Sequence, residues 1–288
     1  MADHQHESFR DEDSPLPAVI ELESEALRDL TDNVTQWVAG LVQTPPRHLL
    51  DLGSGTGAGT FALLRRFPDA RVTAVDSSLQ MLARLERRGE RLGQSGRLTA
   101  VHADLDDRLP AIDQVDLVWA SSLLHHLSHP DRMLSQVAAL LPPGGWCIAV
   151  EADDVAWFLP QNLGVGRPGL ERRCHELLAE HRAAHAPETG SDWGARLASA
   201  GLVVQDARVF DVDGRPPVPA PARSYARALF SMFSGAARDR LDAADVAALD
   251  VLLDDTDPRG LARREDLTLR ATQRAWAAQR PHETQDAP

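Results

Sequence analysis

Short apolar runs alternate with amphipathic segments of helical spacing between residues 48 and 150. The apolar runs predict strands at His48–Leu52, Arg71–Asp76, Leu98–His102, Val115–Ala120 and Trp146–Val150. The segments between them predict helices at Thr60–Phe67, Leu79–Leu92 and Asp131–Leu141. Strands that are apolar throughout and separated by helices are typical of a parallel sheet covered on both faces. We therefore predict an α/β fold with a doubly wound sheet, whose ligands bind at the carboxyl ends of its strands.

The segments before this alternation have different patterns. Residues 1–15 are acidic and lack apolar periodicity, which predicts a disordered tail. In residues 16–44, apolar side chains recur every three or four positions, which predicts one N-terminal helix from Leu16 to Val42, ended by Pro45 and Pro46. The main domain is expected to cover residues 45–288.

Beyond residue 151 the alternation becomes less regular. Helices are predicted at Leu170–His185, Trp193–Ala200, Tyr225–Ala237 and Ala243–Leu253, and strands at Leu202–Val212 and Leu267–Ala277. The proline-rich residues 215–221 are predicted to be a linker. The last strand alternates apolar and polar positions, as antiparallel strands do.

Composition excludes several classes of function. The formal net charge of −13 argues against binding to nucleic acid. All basic residues apart from histidine are arginine, which closes mechanisms that need a lysine, such as a pyridoxal Schiff base or a Walker A site. Cys147 and Cys174 fit reduced thiols better than a disulfide or a metal site, so no metal is expected. With no long apolar run and no signal-peptide pattern, we expect a cytoplasmic protein without a membrane partner.

The most informative segment is Asp51-Leu52-Gly53-Ser54-Gly55-Thr56-Gly57, in which a strand runs into a glycine-rich turn and then a helix. Such a turn lets a ligand lie against backbone at the positive end of the helix. Nineteen residues after Gly57, Asp76 ends the second strand, where a carboxylate accepts hydrogen bonds from both hydroxyls of a ribose. The two features together predict a ligand that contains a nucleoside. The spacing Gly53-x-Gly55-x-x-Ala58 also satisfies the dinucleotide pattern, so a nicotinamide-dependent oxidoreductase is an alternative at this point.

Later motifs separate these alternatives. From about Arg47 to Val150 the chain resembles the class I S-adenosylmethionine-dependent methyltransferases. The resemblance rests on the glycine-rich turn, the acid Asp76, His102-Ala103-Asp104-Leu105 after the third strand, Val115-Asp116-Leu117-Val118-Trp119-Ala120-Ser121 at the fourth, and Leu141-Pro142-Pro143-Gly144-Gly145 before the fifth. It implies a Rossmann-like methyltransferase fold with a mostly parallel seven-stranded sheet and an antiparallel last strand. It also implies helical cap insertions over the substrate, at about 165–200 and 222–256.

The resemblance further implies S-adenosyl-L-methionine as cofactor and S-adenosyl-L-homocysteine as product. The implied cofactor-binding residues are Asp51, Gly53, Ser54, Gly55, Gly57, Asp76, Ser77, Met81, Ala103, Asp104, Leu105, Ala120 and Ser121. In this family an acid at position 51 meets the methionine amino group, Asp76 the ribose and Asp104 the adenine. Purely structural alternatives are a strand-end acid for Asp51, a helix or turn cap for Asp104 and a helix cap for Ser77.

The candidate catalytic residues are His125 and His126, which follow the fourth strand where the transferred methyl group would lie. Either histidine is a candidate general base; alternatively, the pair fixes the loop and packs against the cofactor. Glu151 and Asp153, just beyond the fifth strand, face either the substrate or solvent.

The expected function is in-line methyl transfer to an oxygen or nitrogen nucleophile of a small molecule. The alternatives are a non-transferring cofactor-bound protein or cyclase on the same fold, and the oxidoreductase. A homodimer through the N-terminal helix or the cap is one open possibility.

Overall fold

The computed structural model describes residues 15–152, 154–185 and 188–282. The acidic tail predicted over residues 1–15 and the candidate Asp153 therefore lie outside the described residues, except for Pro15. The helices are α1 (Leu16–Ala26), α2 (Arg28–Leu41), α3 (Ala58–Arg66), α4 (Leu79–Arg91), α5 (Pro130–Leu140), α6 (Leu170–His185), α7 (Trp193–Ser199), α8 (Ala220–Ala237) and α9 (Ala243–Leu253). The strands are β1 (His48–Leu52), β2 (Arg71–Asp76), β3 (Leu98–His102), β4 (Leu117–Ser121), β5 (Trp146–Glu151), β6 (Val203–Gly214) and β7 (Leu269–Gln279).

The strands form one seven-stranded sheet in the order β3-β2-β1-β4-β5-β7-β6. Strands β1 to β5 pair in parallel, and β7 lies antiparallel between β5 and β6. The predicted doubly wound, mostly parallel sheet with an antiparallel last strand is therefore confirmed. Because β1 is central and its neighbours lead outward in both directions, the carboxyl ends of β1, β2 and β4 meet at one edge of the sheet.

Successive residues of the central strands enter two different apolar cores. Leu49 and Trp119 belong to the core shared with α2 and α3, whereas Leu50 and Val118 belong to the core shared with α5 and α7. Side chains alternate across a strand, so a sheet covered on both faces needs apolar residues at every position. Each fully buried leucine contributes roughly 1.5–3 kcal/mol by leaving water. This burial explains why β1, β2, β4 and β5 could be located from continuous apolar runs.

The N-terminal segment forms two helices instead of the one predicted. The break falls at Leu27, which is buried and has φ −103° and ψ 19°, outside the α-helical region. The physical reason is that the two halves have different partners: α2 packs against α3 beside the sheet, whereas α1 packs against α8. The apolar period continues across the break, so periodicity alone did not reveal it.

Two further boundaries differ from the sequence-based prediction. Helix α7 was expected within the cap, but it packs against β6 and β7 and so covers the sheet. Helix α8 begins at Ala220, inside the predicted linker. Its first turn contains Pro221, which is tolerated there because the first N–H groups of a helix have no partner within the helix. Proline content therefore indicated a linker where it marks a helix start.

Gly59 of α3 packs closely against Trp119 of β4, which leads to a prediction about stability. A Cβ atom at Gly59 would lie 2.5 Å from Nε1 of the buried Trp119. We expect Gly59→Ala to lower the free energy of unfolding by about 1–3 kcal/mol, because overpacking outweighs the better helix propensity of alanine. Urea denaturation measures it.

The matched control is Gly40→Ala in α2, where an added Cβ meets nothing within 4 Å. This variant is expected to gain about 0.5–1 kcal/mol. Equal effects of the two substitutions on stability would contradict the close contact at Gly59.

Candidate active site

Asp76 ties the end of β2 to the glycine-rich turn after β1. Its Oδ2 accepts a hydrogen bond from the N–H of Gly55 at 2.8 Å, and its Oδ1 accepts one from the N–H of Ser78 at 2.8 Å. Burial raises the pKa of Asp76, and these amides oppose that rise. A carboxylate has about four acceptor positions. The side chain can therefore hold the turn and still accept hydrogen bonds from a ligand.

The glycines of the turn meet different surroundings. A Cβ at Gly53 would lie 2.7 Å from Cδ1 of Leu123, so glycine is needed there for the loop after β4 to come close. Gly55 has φ +52°, a conformation that other residues rarely adopt. A Cβ there would meet only Ile20 of α1, at 3.9 Å. The turn thus lies between the β4 loop and helix α1.

Two hydroxyls of this turn are buried without a hydrogen-bond partner. They are Oγ of Ser54 and Oγ1 of Thr56, whose residues are 6% and 1% exposed. Leaving such groups unpaired costs about 1–3 kcal/mol each. A polar ligand lying against the turn would supply partners, so the residues present fit the ligand that the resemblance implies.

Asp51 is almost fully buried beneath the turn. Thr60 of α3 donates its hydroxyl to Oδ2 of Asp51 at 2.5 Å. Burial, and to a smaller extent the charge of Asp76, raises the pKa of Asp51 to about 7. A positively charged group beside Asp51 would favour the carboxylate, which is the role that the resemblance implies.

The residues expected near adenine form the edge next to β2 and β3. The N–H of Ala103 donates to the carbonyl of Asp76 at 3.1 Å, and Leu105 is buried in the core beneath. Oδ1 of Asp104 accepts from the N–H of Asp106 at 2.9 Å. Asp104 is therefore a turn cap, whatever else its second oxygen contacts.

The start of α4 corrects one expectation. Ser78, not Ser77, is the N-cap: its Oγ accepts from the N–H of Met81 at 3.3 Å. Ser77 is exposed, and its carbonyl lies 3.0 Å from Nε2 of His102. Met81 is buried. Adjacent serines are equivalent cap candidates in a sequence, and the difference lies in the backbone of residue 78, which is extended with φ −101° and ψ 112°.

The two candidate histidines have different environments. Nδ1 of His125 is hydrogen-bonded to Oε2 of Glu151 at the end of β5. The ring of His126 packs against that of His125, with centroids 4.0 Å apart. Desolvation, followed by the charge of His125, lowers the pKa of His126 to about 4. The structure thus separates two residues that the sequence left equivalent.

Glu151 organises the loop that carries these histidines. It is 4% exposed, and its Oε1 accepts hydrogen bonds from the N–H groups of Leu123 at 3.2 Å and Leu124 at 2.8 Å. Ala120 is buried near the end of β4, and Ser121 ends that strand and pairs with Val150. Sequence reasoning left Glu151 undecided between substrate and solvent. The feature that could have indicated a role in the site was the position of Glu151 at the end of an apolar strand predicted to lie beside the histidine loop.

Comparisons with known proteins agree with this geometry. Residues 50–147 match the family model described as "Methyltransferase domain". A trans-aconitate 2-methyltransferase of Methylobacterium nodulans is 34% identical over 166 residues, 55% of this chain and 58% of the relative. A malonyl-[acyl-carrier protein] O-methyltransferase of Laribacter hongkongensis is 36% identical over 110 residues, 36% of this chain and 37% of the relative. The chain thus matches less than two thirds of the length of these curated relatives.

A solved structure extends the likeness to most of the fold. The crystal structure of a candidate methyltransferase from Bacillus halodurans superposes with a TM-score of 0.55 at 17% identity, covering 87% of this chain and 98% of the other. Residues 50–147 are therefore similar in sequence to a methyltransferase domain, and most of the chain shares the fold of this solved structure. The oxidoreductase and the non-transferring alternatives are not favoured.

The buried Asp51 predicts a pH-dependent stability. Between about pH 4 and pH 7 its carboxyl is ionised in the unfolded chain but still protonated in the folded one, so stability falls as pH rises and levels off above pH 7. We expect the free energy of unfolding of the ligand-free protein to fall by on the order of 4 kcal/mol relative to Asp51→Asn over this range. Urea denaturation of both proteins at several pH values measures the difference, and parallel curves would contradict it.

Proposed function

We propose that this protein transfers the methyl group of S-adenosylmethionine to an oxygen or nitrogen nucleophile of a small molecule by in-line displacement. The observation that carries the proposal is that two groups of polar residues lie close together at one edge of the sheet. The first is the turn held by Asp76, with the unpartnered hydroxyls of Ser54 and Thr56. The second is the pair formed by His125, in the loop after β4, and Glu151, at the end of the adjoining strand β5. The name of one curated relative, a malonyl-[acyl-carrier protein] O-methyltransferase, supports transfer to oxygen.

The cofactor side of the site follows from charge and hydrogen bonding. Asp76 binds the two ribose hydroxyls through its remaining acceptor positions, and Asp51 holds the methionine ammonium in an ion pair. The hydroxyls of Ser54 and Thr56 take the polar atoms that lie against the turn. When bound, S-adenosylmethionine supplies a methyl group on a positively charged sulfur. The acids at this edge favour that charge.

His125 is the residue that we assign to proton removal. Its Nδ1–H donates to Glu151, so Nε2 is the basic nitrogen of the neutral ring. Glu151 also stabilises the imidazolium that forms when Nε2 takes a proton, either from the hydroxyl of an oxygen nucleophile or from the ammonium form of a nitrogen nucleophile. His126 is a weak base at neutral pH, because desolvation and the charge of His125 lower its pKa to about 4. Orientation of the nucleophile by the cap completes the mechanism.

The remaining expectations about surroundings and partners are part of this proposal. No helix among the described residues is both long enough and apolar enough to cross a membrane. A cytoplasmic location, the absence of a nucleic-acid partner and a homodimer stay predictions. The helical cap over the substrate is assigned to α1, α6, α8 and α9, since α1 and α6 both pack against α8, as does α9.

The cofactor assignment is tested by binding of S-adenosylhomocysteine. We expect Asp76→Asn to weaken its affinity roughly 100-fold or more, because the amide carries no charge and replaces one acceptor oxygen with an NH2 donor. Isothermal titration calorimetry measures the dissociation constant. The matched control is Asp69→Asn, an exposed acid in the turn before β2, which is expected to bind like the parent protein. Absence of binding to the parent protein, or unchanged affinity of Asp76→Asn, would overturn the assignment.

The base assignment is tested by comparing the two histidines. With an acceptor found by screening for S-adenosylhomocysteine production, we expect His125→Gln to lower kcat by about 10²–10⁴ when the nucleophile carries a proton. His126→Gln is expected to change kcat by no more than about threefold, since its ring is not the base. Both variants should retain affinity for S-adenosylhomocysteine. Equal losses in both variants would rule out a distinct role for His125.

A further inference from the structure

A second histidine–carboxylate pair lies in the cap, beyond the end of β5. Nδ1 of His175 on α6 is 2.9 Å from Oδ2 of Asp154, and the same oxygen accepts a hydrogen bond from Nε1 of Trp157 at 3.2 Å. Trp157 stacks on the imidazole with ring centroids 3.7 Å apart and planes at 24°, and Phe233 of α8 lies 5.5 Å away. We call these four residues the cap cluster.

The other nitrogen of this histidine is the unusual feature. His175 is 4% exposed, and its Nε2 is buried without a hydrogen-bond partner. Because Nδ1–H donates to Asp154, Nε2 of the neutral ring is an acceptor. A buried acceptor without a donor is costly, and ordinary core packing gives no reason to keep one here. A ligand with an O–H or N–H group would satisfy it.

The cap cluster is close to the candidate base. Glu151, which holds His125, precedes Asp154 by three residues, and three residues span at most about 11 Å between Cα atoms. On the far side, Phe233 belongs to α8, which packs against α1, and Ile20 of α1 borders the glycine-rich turn. The cap cluster therefore lies on the edge of the sheet where the acceptor is expected.

The charges around the cap cluster select the kind of ligand. Besides Asp154, the buried carboxylate of Glu171 interacts electrostatically with His175. Among the described residues the buried arginine is Arg264, and its guanidinium is bound to Asp266 and to the carbonyl of Leu163. One cation lies beside these carboxylates: Arg270 pairs with Trp157 through its backbone and interacts electrostatically with Glu171, but the residue is exposed. A carboxylate ligand at Nε2 of His175 would therefore meet two carboxylates and an acceptor nitrogen.

We propose that the cap cluster is an acceptor-binding subsite, in which Nε2 of His175 accepts a hydrogen bond from an O–H or N–H group of a neutral or cationic acceptor that lacks a carboxylate. The inference rests on the proposed function and narrows its substrate class. The rings of Trp157 and Phe233 pack beside the imidazole, and their π faces favour a positive charge over a negative one. By this assignment the acceptor differs from trans-aconitate, which the name of one relative specifies.

The test uses three probes of matched ring size: benzyl alcohol, benzylamine and benzoate. Each is added to about 10 mM, a fragment-scale concentration, to the protein saturated with S-adenosylhomocysteine. The ring signals of ¹³C-labelled histidines are followed by NMR, and the His175 signal is assigned by its absence in His175→Phe. We expect benzyl alcohol or benzylamine to shift the His175 signal and benzoate to leave it unchanged. A dominant shift by benzoate, or none by any probe, would overturn the proposal.

A second measurement separates a binding role from a packing role. His175→Phe keeps a ring against Trp157 and removes both nitrogens; His282→Phe, at the exposed residue beside Gly144, is the matched control. We expect the rise in Tm caused by the effective probe to disappear in His175→Phe and to persist in His282→Phe. The rise caused by S-adenosylhomocysteine should persist in both.

The two proposals fail in different ways. Loss of the S-adenosylhomocysteine response in the parent protein would contradict the proposed function. A normal S-adenosylhomocysteine response together with an equal probe response in His175→Phe would contradict only the subsite.

Discussion

The buried carboxylate of Glu151 is the interaction on which the geometry of the site depends. A charge with 4% exposure is tolerated only when donors surround it, and three donors do so: the N–H groups of Leu123 and Leu124 and the ring of His125. These contacts fasten the loop after β4 to the end of β5. They also bring Leu123 against Gly53, which joins the histidine loop to the glycine-rich turn. One side chain thus sets the relative position of His125, the proposed base, and the glycine-rich turn.

Three acidic side chains lie at this edge of the sheet, and burying them without a ligand is unfavourable. Asp51, Asp76 and Glu151 end or nearly end β1, β2 and β5 of the same sheet, and burial together with the charge of Asp76 raises the pKa of Asp51. Backbone amides and the Thr60 hydroxyl offset part of the cost. A cationic ligand would offset the rest, since opposite charge favours the ionised form. The buried carboxylates of this edge favour a ligand with a positive charge, and the unpartnered hydroxyls of the turn favour a ligand with polar atoms. Both features fit one polar, cationic ligand.

The sheet, its order of elements and the glycine-rich turn could be predicted because they follow from local patterns. A strand buried on both faces reads as an apolar run, as at His48–Leu52, and a close backbone approach requires glycine, as at Gly53. The break at Leu27 and the assignment of α7 to the sheet depend on which distant helix or strand each segment meets. His125 and Glu151 are 26 positions apart in the sequence. Neither local periodicity nor spacing could therefore show that His125, and not His126, is the partner of Glu151.

Helix α1 links the cofactor turn to the cap. Ile20 borders Gly55, Glu21 is paired with Arg84 of α4 at 2.8 Å, and Glu23 accepts the hydroxyl hydrogen bond of the buried Tyr225 at 2.7 Å. Burial raises the pKa of Glu23, and the hydrogen bond from Tyr225 opposes that rise. A ligand that holds α1 against the turn therefore also favours the packing of α8, on which Phe233 and the acceptor side depend. Under the proposed function, cofactor and acceptor binding would share this helix, which gives a physical basis for coupling between them.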